Sequence, residues 1–491
     1  MSDLPNPDRD ALDTLRLAGP DPENWVPDRP GIDHNVLIVG GGQSGAAYAY
    51  GLRRAGIGRV SVIDAAPDAS QAGVWLTRAR MRLLRTPKTL VGPEAGLPGL
   101  GFRAWHDAQY GEAAFDAFER IPRERWAEYL AWYRTFLRIP IRYGVTLARI
   151  EPAGDHFRVH LRIRDASGER DAVETTRKVI LANGVAGNGR PNLPPVLAAL
   201  PATHRAHTAD AIDFTALRGK RVAVIGGAAS AFDAAATALE AGAAAVHLFV
   251  RRTAIASLPV SRARAYPGAY DNYPNLPDAL RWQLARRFRQ AGSTPPPDAV
   301  ERVTRHDAFH LHLGGEWTAA RLEHGEVIAE AAGERFAFDF AIAGTGYAID
   351  LHARPELADF AAEVLLWRDR HQPDAADRDD ALGAHPYLGR ALEYLERTPG
   401  AAPYLRHIHA HNPAGFVSFG VPVGDVPCMK RDIPAVIARI SEDLFTADLA
   451  AHAARMASEV PADFPESAYA HRVWQGAAAS SAAAAAADAA A

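Results

Sequence analysis

A single cysteine, Cys428, stands in a chain of 491 residues. One sulfur makes neither an internal disulfide nor a Cys-x-x-Cys redox pair, so reactions that hand electrons to a dithiol are excluded. The residue itself is expected as a small buried side chain. Charge of one sign is lacking too: 54 Lys and Arg stand against 58 Asp and Glu. Without a broad basic field, neither nucleic acid nor an anionic membrane is an expected partner. No run of about twenty apolar residues is present to span a bilayer. The start, MSDLPNPDRD, lacks the basic-then-apolar pattern of a secretory signal, so the expected location is cytoplasmic. What remains is a globular chain, 48% hydrophobic, long enough for roughly two or three domains.

What the chain does have is a pair of glycine-rich turns, at residues 36–45 (VLIVGGGQSG) and 222–231 (VAVIGGAASA), each between a short apolar strand and a helix of small residues. At the first, Gly40 permits the tight turn, Gly42 lets the backbone approach a pyrophosphate, and Gly45 lets the helix close on the sheet. The phosphates meet the helix N-terminus, where Gln43 and Ser44 are further candidate contacts. A second strand, residues 60–63, leads to Asp64, 24 positions after Gly40. That is near the spacing at which a carboxylate reaches a ribose hydroxyl. Strand, turn, helix, strand and acid together point to a dinucleotide rather than to a turn kept for packing.

The second turn repeats the layout with one departure. Gly226 opens it and Ser230 sits in the new helix, but Ala228 occupies the place of the second glycine, where a methyl group hinders close approach to a pyrophosphate. The next strand, residues 245–250, ends in Arg251-Arg252, where an NAD site carries a carboxylate. Two guanidinium groups there suit a 2′-phosphate, so NADPH is expected rather than NADH. The other role open to them is to solvate a strand end.

Past Asp64 come Gly73-Val-Trp75, the stretch MRLLRTPK at 81–88 and GFRAW at 101–105; far downstream stands Gly344-Thr345-Gly346-Tyr347. With these motifs in this order the chain resembles the class B flavoprotein monooxygenases, the group of flavin-containing monooxygenases, N-hydroxylases and Baeyer–Villiger enzymes. The resemblance covers roughly residues 30–445. It implies an α/β fold of two Rossmann-like domains, the NADPH domain inserted in the FAD domain. The boundaries expected are an N-terminal arm (1–30), the first part of the FAD domain (31–210), the NADPH domain with a helical insertion (211–337), the returning part of the FAD domain (338–450), and a C-terminal helix with an Ala-rich tail (451–491). Trp75 is then a candidate wall of the isoalloxazine, or else an ordinary core tryptophan. Thr345 and Gly346 mark the return to the flavin. Asp425, in a turn after Gly424, either faces the flavin or caps the helix that follows.

The implied reaction is hydride transfer from NADPH to FAD, addition of O2, and delivery of one oxygen atom from a C4a-(hydro)peroxyflavin to a small-molecule substrate. The cofactor carries the hard chemistry, so no side chain is singled out as catalytic. The fingerprints of the subclasses are incomplete. The Phe-x-Gly that precedes a histidine in some members is missing before His207, with Pro201 and Thr203 in its place. His207 reads equally as a linker histidine. His310 and His312, and His407, His409 and His411, alternate as on strands, but no carboxylate completes a ligand set and no metal is expected. Two other readings stay open: an NADPH-dependent flavin reductase or oxidase that inserts no oxygen, and a nucleotide sensor disabled by Ala228.

Elsewhere, residues 1–30 read as an extended arm and 122–138 as a packing helix. Strands are expected at 145–150, 156–163, 178–182 and 338–343. Aromatic loops at 101–110 and 266–273 are expected to shape the substrate pocket. Residues 280–290 read as a helix, 416–425 as a strand and tight turn, 433–445 as an amphipathic helix, and the low-complexity tail from 475 as frayed.

Overall fold

A computed structural model describes residues 6–185, 187–474 and 476. The chain divides into one unit spanning residues 1–444 and a second spanning 445–491.

Val36, Leu37 and Ile38 are wholly buried, as an unbroken apolar run demands when both faces of a parallel sheet are covered. The strand that carries them, His34–Val39, lies between parallel neighbours Val60–Asp64 and Gly168–Leu181. Ile141–Tyr143 extends the parallel layer on one side, and the antiparallel strands Phe157–Asp165 and Val145–Pro152 continue it on the other. Late in the chain, Ile408–His409 returns to pair parallel with Gly168–Leu181. Helix Gln43–Arg54 covers one face. At Gly51 it meets helix Val426–Ala447 so closely that a Cβ there would stand 2.5 Å from Ile437 Cδ1.

The second sheet is wholly parallel, in the order Arg205–His207, Phe340–Ala343, Arg221–Ile225, Ala245–Val250, Phe309–Leu313. Its first helix, Ala229–Glu240, is held close by small residues, with Ala234, Ala235, Ala236 and Ala238 fully buried. A three-stranded antiparallel sheet, Trp317–Glu323, Glu326–Ala331 and Glu334–Phe338, packs Trp317 and Phe338 edge-on to Phe249.

The chain leaves the first sheet just after Leu181 and leaves the second just after Ala343, and each exit passes a glycine turn. A Cβ on Gly40 would stand 2.3 Å from the Ala182 carbonyl oxygen, and one on Gly226 would stand 2.3 Å from that of Gly344. The two turns therefore flank the two crossings between the sheets, which brings both candidate nucleotide sites to the same gap.

Several local expectations are corrected. Residues 7–18 are helical, not extended: the Asn6 side chain accepts from Asp8 N–H, Pro7 takes the first position, and Asp8 and Asp10 fill the first turn. The presumed loops 101–110 and 266–273 carry helices Phe102–Tyr110 and Pro267–Asn272. Trp105 and Phe102 of the former are buried among Phe115, Trp126, Tyr129 and Tyr133, so its aromatics build a core instead of a pocket rim. Residues 416–425 contain no strand. Asn412 caps a short turn, helix Phe416–Phe419 follows, and Gly420 ends it in the left-handed region at φ 78°. The expected helix 433–445 begins earlier, as Val426–Ala447. Residue 475 and the tail from 477 on lie outside the described residues.

In the second unit, helices Leu449–Met456 and Ser467–Ala470 are present, and Phe445 stacks on His452 with ring centres 4.4 Å apart. Among the described residues no helix is long and apolar enough to cross a membrane.

Candidate functional site

Gly40 adopts φ 106°, a value only glycine tolerates readily. Gly45 has no room for a side chain, since a Cβ would lie 1.8 Å from the Gly40 oxygen. Gly42 differs: its backbone is extended and a Cβ would meet nothing within 4 Å. The turn is thus closed behind by two glycines and open in front at the third, a cradle shaped for a pyrophosphate over the N-terminus of helix Gln43–Arg54. Asp64 braces it, accepting from Gly41 N–H at 2.7 Å through one oxygen and from Ala66 N–H at 2.8 Å through the other. Each oxygen keeps a lone pair for a ribose hydroxyl. These features fit FAD.

A contact across 381 positions of sequence joins this cradle to the late turn. The Gln43 amide donates to the Gly424 carbonyl at 3.0 Å, and Trp126 Nε1 donates to Gln43 Oε1 at 3.1 Å. Gln43 therefore works as a strut between the cradle and the turn that carries Asp425. Asp425 is open to solvent yet crowded by protein on all sides, as a carboxylate inside a cleft is; that desolvation pushes it up to about 6. Ser44 is buried at the helix start. Trp75 is half-buried against the aromatic core, between exposed Val74 and Leu76. An arginine that sequence reasoning passed over, Arg85, feels the field of Asp425 within the same cleft.

The second turn copies the first in backbone. Ala228 is the extended cap of helix Ala229–Glu240, as Gly42 is of Gln43–Arg54, and both helices run 12 residues. The Ala228 methyl thus occupies the one flank left open at the first turn. Ser230 is exposed beside it. The arginine pair is unequal. Arg252 donates to the carbonyls of Ala291 (2.8 Å) and Arg289 (3.2 Å), closing the end of helix Asp278–Ala291. Arg251 is exposed and makes no hydrogen bond or ion pair with the described residues.

Between the turns, Thr345 and Gly346 form the return crossing. Asn192 N–H donates to the Gly346 carbonyl at 2.9 Å, and the Thr345 hydroxyl donates to the Asn192 carbonyl. Tyr347 lies edge-on to His207, ring centres 5.6 Å apart. His207 is buried, its Nδ1 accepts from Ala209 N–H at 3.0 Å, and burial lowers it from the ordinary imidazole range. Asp233, pushed up to about 6 by burial, pairs with Arg302 at 3.0 Å; Arg302 also bonds Glu240, and Arg82 reaches Glu240 from the first domain at 2.9 Å.

The alternating histidines serve separate partners. His407 bonds Lys178 and Asp443, His409 Nδ1 donates to the Ala391 carbonyl, and His411 bonds Tyr48. His312 bonds His247 at 2.9 Å under Phe249. Among the described residues no group of three or more His, Cys, Asp or Glu is placed to hold a metal. Cys428 is buried, and its thiol donates to the Pro422 carbonyl.

Residues 37–263 match the family model described as pyridine nucleotide-disulphide oxidoreductase. The chain is 38% identical over 443 residues to the FAD-dependent urate hydroxylase of Xanthomonas campestris pv. campestris, which covers 89% of this chain and 92% of that protein. Its fold is similar to ornithine hydroxylase from Pseudomonas aeruginosa (TM-score 0.64, 20% identity, 84% of this chain and 100% of that one). It is similar too to L-lysine 6-monooxygenase from Pseudomonas syringae (TM-score 0.60, 16% identity, 83% and 99%). With that hydroxylase matched over almost its whole length, and a fold shared with flavin monooxygenases, the chain belongs to the family of the FAD-dependent urate hydroxylase.

Proposed function

We propose that this protein is an FAD- and NADPH-dependent monooxygenase that hydroxylates urate or a close oxopurine, working in the cytoplasm. The single observation that carries the reading is the 38% identity to a urate hydroxylase across 92% of its length. The relative is a hydroxylase, which weighs against a reductase or oxidase that inserts no oxygen. When bound, the flavin supplies the chemistry that takes hydride from NADPH and activates O2.

The chain's own residues do the holding. Gly40, Gly42 and Gly45 shape the phosphate cradle, Asp64 faces the ribose, and Gln43 ties the Gly424–Asp425 turn across it. Trp75 and the Thr345–Gly346 crossing border the ring region. Gly226, Ala228 and Ser230 present the second helix N-terminus to NADPH, and Arg251 takes the 2′-phosphate. Asp425, part-protonated near neutral pH because it is desolvated, can hold or release a proton beside the ring.

The test is NADPH consumption with peroxide release over amines, amino acids, thioethers, ketones and oxopurines, with product analysis. The expected result is that urate raises consumption, yields an oxygenated product and suppresses peroxide. Peroxide formation at the same rate with and without every oxopurine refutes the substrate reading.

A further inference from the structure

The stretch from residue 78 to 88 holds five cationic side chains: Arg78, Arg80, Arg82, Arg85 and Lys88. Three are spent on the protein. Arg80 donates to the carbonyls of Thr208 (2.6 Å) and Asp210 (2.8 Å) and covers the Phe214 ring. Arg82 pairs with Glu240 at 2.9 Å. Lys88 donates to the carbonyls of Phe115 (2.8 Å) and Phe118 (2.7 Å). These bonds pin one end of the stretch to the second domain and the other to the aromatic core.

Between the pins runs strand Leu83–Pro87, paired with Arg120–Pro122, and Arg120 donates to the Arg85 carbonyl at 2.7 Å. Leu84 is 3% exposed within the aromatic core. The pairing is irregular between Leu83 and Pro87, and within that bulged stretch Leu84 is buried while Arg85 is exposed, so Arg85 lies away from the aromatic core. There its guanidinium is exposed and makes no hydrogen bond or ion pair with the described residues. The carboxylates whose field reaches it are Asp233 and Asp298 of the second domain and Asp425 of the late turn. Arg85 therefore stands in the gap between the two domains, on a backbone held rigid from both sides. Crowding there lowers it from the usual arginine range.

We propose that Arg85 anchors the substrate by the anionic edge of an acidic oxopurine. The inference rests on the urate-class reading above. An ionised oxopurine spreads its charge over a deprotonated ring nitrogen and the carbonyl oxygen beside it, and a guanidinium offers paired donors in the matching plane. The surrounding carboxylates repel simple anions but accept from N–H groups, so the gap favours a ring that carries both an anionic edge and N–H donors. Partial desolvation strengthens the charged contact. The fixed backbone limits the ordering cost of binding.

Arg85→Gln and Arg85→Lys test this in the FAD-loaded protein, with urate binding followed by equilibrium dialysis and by the flavin difference spectrum. A fully N-methylated oxopurine, neutral and without N–H groups, is the second probe, and retention of FAD and the NADPH dissociation constant are measured alongside. R85Q is expected to weaken urate binding by about tenfold to a hundredfold, and R85K to recover part of it. The methylated ring is expected to bind the parent weakly and to change less than about threefold, as a site without a charge to lose would. Urate binding within threefold of the parent in R85Q overturns the proposal, as does a loss confined to FAD or NADPH. If the parent binds no oxopurine while another class couples NADPH use to product, the substrate reading falls and the anchoring role falls with it.

Discussion

Alanine at Gly42 should raise the stability of the flavin-free protein while it weakens FAD. The backbone there, at φ −69° and ψ −163°, suits any residue, and a Cβ meets no atom within 4 Å. Gly→Ala at such a site stabilises by about 0.4–1 kcal/mol, because the unfolded chain loses freedom. The same methyl stands where the pyrophosphate must approach the helix N-terminus. Losing one charge-assisted N–H contact, about 1.5–3 kcal/mol, corresponds to roughly ten- to hundredfold weaker binding. Gly45→Ala is the control: its Cβ would sit 1.8 Å from the Gly40 oxygen and 3.0 Å from the Gly40 carbonyl carbon. Both partners are backbone and cannot swing aside, so it should destabilise by about 1–3 kcal/mol or more. Chemical denaturation of the apoprotein and fluorescence titration with FAD measure the two terms separately. G42A that unfolds as early as G45A, or that binds FAD like the parent, refutes the account of this turn.

Other consequences follow from the second site and from burial. Arg251→Ala should raise KM for NADPH at least tenfold with little change for NADH. Arg252→Ala should lower the denaturation midpoint and leave the cofactor preference intact, since its bonds go to Ala291 and Arg289. Equal effects of R251A on both nucleotides would sink the assignment. Ala228→Gly should reopen the second cradle and lower KM for NADPH several-fold in steady-state assays; an unchanged or higher value contradicts the steric reading. Stability should fall as pH drops from about 6.5 toward 4. His247 and His385 are pushed down to about 4, and His409 and His411 to about 3, all chiefly by burial. In that window the unfolded chain binds protons that the folded one refuses. Asp443, held well below its usual range, adds to the loss below about pH 4. Asp233 and Asp425, near 6, act in the opposite sense but are outnumbered. Urea midpoints at pH 7.5, 6 and 5 check the sign, and a flat series contradicts it.

Both glycine turns and Asp64 were legible because each is dictated within a few residues of itself: φ 106° at Gly40 and the contact of Gly45 with Gly40 are local geometry. Helix 7–18 was missed although Asn6-Pro7 is a local cap signal, because its acidic, Pro-flanked composition read as coil. The helix Phe102–Tyr110 was mistaken for a loop because its aromatics look alike whether they line a pocket or a core, and only the packing against Trp126 and Tyr129 decides. The roles of Arg251 and Arg252, adjacent in sequence, diverge only when helix Asp278–Ala291 ends beside one of them. Gln43 likewise gains its function from Gly424, far along the chain. Such assignments belong to tertiary structure, and no periodicity or spacing carries them.

The matched family model takes its name from disulphide reduction, and Cys428 makes the comparison concrete. It lies in the first turn of helix Val426–Ala447, three positions after Asp425. Yet its side chain is wholly buried, its thiol donates to the Pro422 carbonyl at 3.3 Å, and burial together with the Asp432 carboxylate raises it well above the ordinary thiol range. The thiolate is the nucleophile in exchange with a disulphide, and here it is suppressed with no second sulfur to resolve a mixed disulphide. Cys428→Ala should therefore cost at most about 1–2 kcal/mol of packing. NADPH oxidation and its coupling to oxygenated product should stay within about twofold of the parent, a change below 0.5 kcal/mol. An alanine variant that folds and binds FAD but loses substrate-dependent NADPH use would return this cysteine to the electron path in place of direct transfer to oxygen.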